Sequence, residues 1–461
     1  MVSPLEGYQQ CRDRSWLQSP QDITPAFNAA FDKRYPRLAD GDRPTLLLAE
    51  SNPATFLGSF LAACAARCPV FLANPNWGAA EWHQAVAIAQ PNLIWRDGQE
   101  TPCSPRVGAT RPRPGWIMIP TGGSSGKLKF AIHTWDTLAA SVQGFRDYFA
   151  LERVNAYCTL PLYHVSGLMQ FLRSLHSGGQ LILQPWRALA QTLPVDPEAY
   201  FLSLVPAQLQ ALLDQPAAVA NLRRFQTILL GGAPAWGTLL GQGRSQRLPL
   251  APTYGMTETA SQVATLKPAD FLAGHQGCGH PLPHAQVAVV DERGQPAAQG
   301  RLQISARSLY LGYYPQATYP AHLLADDLGQ FNGQGLQILG RQSDKIISGG
   351  ENIFPAEVEA AIRAANLVAD VAVVGAADPQ WGETPVALYV AKPNTSPPTS
   401  TALASHLTRY KHPSRWIAVE HLPRSPQGKL DRQVLKAIAL RAIEGVSAPL
   451  PPLGPDLQGW P

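Results

Sequence analysis

Residues 116–135, WIMIPTGGSSGKLKFAIHTW, carry the densest set of groups able to hold a charged ligand. An apolar run leads directly into Thr121-Gly122-Gly123-Ser124-Ser125-Gly126-Lys127, with Lys129 just beyond. Glycines without a Cβ let backbone N–H groups close around an anion, while hydroxyls and ammonium groups add donors and positive charge. Phosphate is the guest that suits this chemistry. The pattern is not G-x-x-x-x-G-K-[ST]: the spacing before Gly126-Lys127 differs, and Leu128 stands where a hydroxyl is required. That excludes a P-loop nucleotide hydrolase. A plain glycine–serine turn between two strands fits the isolated window equally well, so the choice falls to the remainder of the chain.

Such a loop needs elements to position it. Short apolar runs at 44–50, 69–75, 180–186, 200–206 and 225–232 alternate with helix-like stretches, among them an amphipathic segment over 54–66. This βαβα order, with strands that are continuous apolar runs, predicts mainly parallel sheets covered by helices. From about Cys278 the texture changes to shorter strands with tight turns, as at 292–295, which predicts an antiparallel β subdomain. A separate unit follows Gly340: a helix from Pro355, strands around 368–376 and 385–392, a Pro/Ser/Thr linker at 394–401 and a last helix after Gly428. The fold class expected is α/β, with a large N-terminal domain over 1–340, a hinge at 341–344 and a small mobile α+β domain over 345–445. A Pro-rich tail occupies 446–461.

The 461 residues are 45% hydrophobic and 15% charged, with a net charge of +4. That is globular composition, and the charge is too diffuse to mark a nucleic-acid or membrane surface. Six cysteines without a CxxC pair or matching histidines argue against a disulfide framework or a zinc site. The first thirty residues carry no basic segment followed by an apolar one, and no run reaches the length of a membrane span. A soluble cytoplasmic protein is expected.

Further motifs place the glycine-rich window in context. Gly231-Gly232-Ala233-Pro234 ends an apolar strand; Pro252-Thr253-Tyr254-Gly255-Met256-Thr257-Glu258-Thr259 follows; then Gly300-Arg301-Leu302-Gln303-Ile304, Leu311-Gly312-Tyr313-Tyr314 and Asp327 in ADDLGQF. In this order they resemble the adenylate-forming superfamily of acyl-CoA synthetases, luciferases and peptide-synthetase adenylation domains, over most of the chain. The resemblance implies ATP, Mg²⁺ and coenzyme A as co-substrates and cofactor. Gly232, Ala233 and Pro234 would lie against adenine and Tyr254 would stack on it, beside Gly255. Thr257 would meet the α-phosphate, Glu258 would hold Mg²⁺, and Asp327 would bond the ribose hydroxyls. The family's usual Thr-Gly before that aspartate reads Ala325-Asp326 here.

The stretch 340–352, GRQSDKIISGGEN, resembles the family's hinge and thioester-forming loop. Arg341 would contact ribose or phosphate. The pivot, usually Asp or Lys, is Ser343, and Gly349 and Gly350 would admit the pantetheine thiol. Residues 423–432, PRSPQGKLDR, resemble the loop carrying the adenylation lysine, here Lys429. Carboxylate attack on the α-phosphorus brings two anions together, and a mobile ammonium lowers that barrier.

The windows at 131–134, 160–167 and 203–208 resemble 2-succinylbenzoate–CoA ligases of menaquinone and phylloquinone synthesis. That acid has a second carboxylate, for which His164, Ser166 and Ser261 are candidate donors. The resemblance implies an acid–thiol ligase acting on a small-molecule carboxylic acid, ATP and CoA, without nucleic acid or membrane insertion. Another aryl- or acyl-CoA synthetase, and an adenylating domain that loads a carrier protein, stay open as alternatives.

Overall fold

The computed structural model describes residues 2–106, 108, 110–122, 128–349, 351–378, 380–393, 403, 407–424 and 430–444. The linker at 394–401 and the tail at 446–461 lie outside the described residues.

The apolar runs of the first half form two sheets. In one, Leu46–Ala49, Val70–Leu72 and Ile117–Gly122 run parallel, and Leu128–His133 returns antiparallel at the edge. In the other, Leu181–Leu183, Asn155–Cys158, Tyr200–Leu204, Thr227–Leu230 and Leu250–Met256 are parallel neighbours, extended by the antiparallel strand Ser261–Thr265. The short strand Leu17–Ser19 joins the far side of this sheet beside Leu181–Leu183, a pairing that a three-residue run cannot announce by its pattern.

Helix Pro53–Ala65 departs from the amphipathic reading of 54–66. Ten of the eleven residues from Ala54 to Cys64 are buried, all but Thr55, because the helix lies within the main core among Phe27, Phe31, Phe171 and Leu46. A helix apolar on all sides is one that packs on all sides.

A four-stranded antiparallel sheet follows, ordered Ala285–Val290, Gln299–Ala306, Leu323–Asn332 and Gly335–Arg341. The tight connection expected at 292–295 is present: Gln295 N donates to Asp291 Oδ1, and Gly294 takes φ 76°. Beyond Arg341 the next strand, Ile346–Ser348, belongs to a different sheet, with Glu351–Ile353, Gly382–Val390, Asp370–Asp378 and Arg415–Ala418.

Strand alternation builds the two sides of that last sheet. Val371 and Val373 face Val358 and Ile362 of helix Pro355–Ala364, whereas Ala372, Val374 and Ala376 face Leu435 and Ala439 of helix Arg432–Glu444. Period-two geometry sends successive side chains to opposite faces, and each buried valine or leucine contributes about 1.5–3 kcal/mol.

Candidate functional site

The glycine-rich window is a strand–loop–strand unit: Thr121 pairs with Lys129 and Gly122 with Leu128 across the hairpin. Gly123, Ser124, Ser125, Gly126 and Lys127 lie outside the described residues. Thr121 is half-buried, and exposed Lys129 places its ammonium 5.2 Å from the ring centroid of Tyr313. The Tyr313 hydroxyl in turn donates to Glu258 Oε1 at 2.6 Å.

Thr257 and Glu258 owe their place to a bulged hairpin. Strand Leu250–Met256 pairs antiparallel with Ser261–Thr265, with a bulge at Tyr254/Gly255. A Cβ on Gly255 would stand 2.1 Å from the Ser261 carbonyl oxygen, so only glycine allows the strands to close. A 3-10 turn, Thr257–Thr259, forms the tip, and Ala260 and Ser261 follow with φ 51° and 87°. Two successive left-handed residues with side chains carry strain of about 1–3 kcal/mol each, of the kind found at functional sites. Thr259 Oγ1 braces the tip by donating to the Ser261 carbonyl at 2.7 Å and accepting from the Met256 N–H at 3.1 Å.

Glu258 is 8% exposed. With Oε1 held by Tyr313, Oε2 accepts no bond from the described residues. No group of three or more metal-ligating side chains occurs among the described residues. A cation here would take one carboxylate and draw its other oxygens from phosphate and water, which is how magnesium is commonly bound in nucleotide sites. The residues fit that ion.

The residues expected at the nucleoside end are equally connected. Asp327, 9% exposed, accepts from the Tyr254 hydroxyl at 2.8 Å on Oδ2 and from Arg341 Nε at 3.2 Å on Oδ1. Burial and the Asp327 carboxylate both raise the Tyr254 hydroxyl far above its ordinary range, so it stays a donor. A carboxylate has about four acceptor positions, so two contacts leave room for ribose hydroxyls. Gly231, Gly232, Ala233 and Pro234 follow strand Thr227–Leu230, with Gly232 at φ 81°. A Cβ on Gly231 would meet Thr253 Oγ1 at 2.5 Å, so this loop sits against the strand bearing Tyr254.

Ser343 donates from its backbone N to Asp326 Oδ1 at 3.2 Å and from its hydroxyl to Asp326 Oδ2. Asp326 and Ser343, two of the residues that depart from the resembled pattern, therefore meet each other. Gly349, at φ 58°, donates to the Trp381 carbonyl at 2.8 Å, and a Cβ there would press on the Trp381 ring. Gly350 and Lys429 lie outside the described residues. The ends of the lysine's loop are joined by a bridge between Arg424 and Leu430, and Arg432 pairs with Asp344 at 3.2 Å and Glu359 at 3.0 Å.

His164 caps helix Val165–Ser177, and Ser166 lies in its first turn; both are half-buried. Ser261 is linked to the same helix by a residue that the sequence reading missed. Arg173 is 3% exposed, reaches Ser261 Oγ at 3.4 Å and Gln262 Oε1 at 3.2 Å, and lies 4.2 Å over the Phe145 ring. No carboxylate lies within 4 Å of it among the described residues, and its Nε has no partner. Burial brings this guanidinium down to about 9. A fully buried cation without a counter-ion is costly. The available signal was one charged residue inside a mostly apolar stretch, LMQFLRSL. Arg173 stands nine residues beyond His164, about 13 Å along the helix, so Ser261 meets the helix well away from His164 and Ser166.

His133 was also missed as a site residue. It ends strand Leu128–His133, because Thr134 turns the chain by capping helix Trp135–Phe149. Its buried ring reaches the Thr257 carbonyl from Nε2 at 2.7 Å, and burial lowers it to about 4, keeping it neutral.

Residues 105–314 match the AMP-binding enzyme family, and residues 357–429 match the AMP-binding enzyme C-terminal domain. A 2-succinylbenzoate–CoA ligase of Bacillus velezensis is 32% identical over 372 residues, covering 78% of this chain and 75% of its own. An indoleacetate–CoA ligase of Aromatoleum aromaticum is 31% identical over 372 residues, covering 77% of this chain and 72% of its own. An o-succinylbenzoate CoA synthetase of Bacillus subtilis, solved with its acyl-adenylate intermediate, has the same fold. Its TM-score is 0.80 at 25% identity, covering 94% of this chain and 97% of its own.

Proposed function

The chain belongs to the AMP-binding enzyme family, and we propose that it is an ATP-dependent acid–CoA ligase whose acid is 2-succinylbenzoate. The product is 2-succinylbenzoyl-CoA, with AMP and pyrophosphate. One observation carries the choice of acid: Arg173, a buried guanidinium with no carboxylate partner among the described residues, beside Ser261. A substrate with a second carboxylate supplies the missing anion, and a monocarboxylic acid such as indoleacetate does not.

In the first half-reaction the acid's other carboxylate attacks the α-phosphorus, and the bond to the pyrophosphate oxygen breaks. Thr121, Gly122, Gly123, Ser124, Ser125, Gly126, Lys127 and Lys129 surround the phosphates, and Thr257 donates to the α-phosphate. Asp327 and Arg341 hold the ribose, and Tyr254 faces adenine with Gly232, Ala233 and Pro234. Glu258 would hold magnesium, which would supply neutralisation of the phosphate charge. Lys429 approaches the reacting oxygens as pyrophosphate departs.

In the second half-reaction the thiolate of CoA attacks the carbonyl carbon of the mixed anhydride and AMP leaves. Rotation about Ser343 exchanges the loop of Lys429 for the loop of Gly349 and Gly350. Domains over 1–340 and 345–445 hinged at 341–344 serve these two steps. ATP and CoA are cytoplasmic pools, so the cytoplasm is the proposed location. Among the described residues no helix is long and apolar enough to cross a membrane.

The test is pyrophosphate release by the purified protein with ATP and CoA, offered 2-succinylbenzoate, indoleacetate, benzoate, coumarate and medium-chain acids. The highest kcat/KM is expected for 2-succinylbenzoate. A monocarboxylate preferred over it would overturn the choice of acid, and adenylation without any CoA-dependent product would favour loading of a carrier protein.

A further inference from the structure

Four consecutive backbone carbonyls at the tip of the bulged hairpin are each held by a different donor. The Thr257 oxygen meets His133 Nε2 at 2.7 Å, and the Glu258 oxygen meets the Tyr310 N–H at 2.8 Å. The Thr259 oxygen accepts from the Ser308 hydroxyl at 2.8 Å, and the Ala260 oxygen from the Ser141 hydroxyl at 2.7 Å. The donors come from three parts of the chain, Ser308 and Tyr310 sharing one segment, and the stretch they hold runs into the left-handed pair Ala260 and Ser261. An isolated turn would relax from this shape; here it is fixed from outside.

His133 differs from the other three donors in where it comes from. It ends the strand Leu128–His133, which emerges from the glycine-rich loop, and that strand belongs to a different sheet from the one that continues into Thr257. Its bond therefore spans the two pieces that must converge on one polyphosphate. A carbonyl only accepts, so Nε2 carries the proton. Nδ1 is then the acceptor and takes the Thr137 hydroxyl proton at 3.0 Å, while Thr137 Oγ1 itself accepts from the Thr134 N–H at 3.0 Å. The ring is thus oriented by the helix cap on one side and grips the turn on the other.

We propose that His133 is a positioning residue for adenylate formation, fixing the Thr257 carbonyl and thereby the direction of the Thr257 hydroxyl and the Glu258 carboxylate. The inference rests on the roles assigned above to Thr257 and Glu258. It concerns alignment of groups already present, so the expected signature lies in turnover more than in nucleotide affinity.

The discriminating pair is His133→Asn, which retains a polar group near Nδ1 but is too short to reach Thr257, and His133→Gln, whose amide extends to the place of Nε2. Acid-dependent pyrophosphate exchange is measured with melting temperature and calorimetric binding of magnesium α,β-methylene-ATP. His133→Asn should lower exchange kcat by about tenfold or more, with KM for ATP and the calorimetric Kd within about threefold of the parent. His133→Gln should return kcat to within about threefold while melting no higher than His133→Asn. Equal loss of kcat in both variants at similar melting temperatures would overturn the proposal, as would a loss confined to KM. Should neither variant fold, Thr137→Val frees the ring from its other side, and an unchanged kcat there overturns it too. Thr257→Ala and Glu258→Gln are measured in parallel: full exchange in both would sink the underlying roles, whereas their loss beside an unaffected His133→Asn would sink the positioning role alone.

Discussion

Replacing Arg173 by methionine should separate stability from specificity. Burial lowers the guanidinium from its ordinary value to about 9, which corresponds to a cost of about 5 kcal/mol at neutral pH, taking 1.36 kcal/mol per tenfold step. The sign follows from the direction: a base harder to protonate in the folded state destabilises that state at every pH below about 9, and the cost fades above it. Contacts with Ser261, Gln262 and the Phe145 ring return about 1 kcal/mol each. The net penalty is then about 2 kcal/mol, and methionine, similar in length and apolar, removes it. The melting temperature of Arg173→Met without substrate should hold or rise. Its kcat/KM for 2-succinylbenzoate should fall about 10- to 150-fold, the worth of a charge-assisted hydrogen bond of about 1.5–3 kcal/mol. Activity on a monocarboxylic acid should change little. Scanning calorimetry and pyrophosphate release read the two effects separately. An equal fall on both acids, or a large drop in melting temperature with unaltered acid preference, would refute the assignment of Arg173 as the partner of a second carboxylate.

Lys429→Ala should nearly abolish acid-dependent pyrophosphate exchange yet leave thioester formation from preformed acyl-adenylate and CoA largely intact; equal loss of both steps would show the assigned role to be wrong. Glu258→Gln should raise the Mg²⁺ concentration needed for half-maximal exchange by about tenfold, as removal of an anionic ligand requires, and an unchanged magnesium titration would count against Glu258 as the ligand. The rings of His176 and His284 are each brought down to about 4 by burial and neighbouring charges, whereas in the unfolded chain they protonate near about 6.5. Stability from these rings should be intact above about pH 6.5 and fall as pH drops toward about 4, by up to about 3 kcal/mol per ring. Thermal scans across this range should show that slope, and His284→Leu should make it shallower; a flat profile in the parent protein would contradict it.

The sequence by itself determined the elements and the order of the motifs. Continuous apolar runs such as LLLA at 46–49 can satisfy their side chains only when both faces of a sheet are covered, and alternating stretches such as DVAVVGA at 370–376 carry their two faces in the residue order. Thr257, Glu258, Tyr254 and Asp327 could be named as candidates because the motif sets residue type at fixed spacing. Only the tertiary structure decided which distant groups meet. Arg173 looks like a misplaced charge in a helix until Ser261 and Gln262 arrive from another strand, and His133 looks like the end of a strand until the Thr257 carbonyl lies 2.7 Å from its ring. The Asp326 contact with Ser343 likewise joins two unusual residues that are seventeen positions apart. Local pattern records the burial and conformation that each residue requires; a hydrogen bond between segments depends on sheet order and register, which emerge only when the whole chain packs.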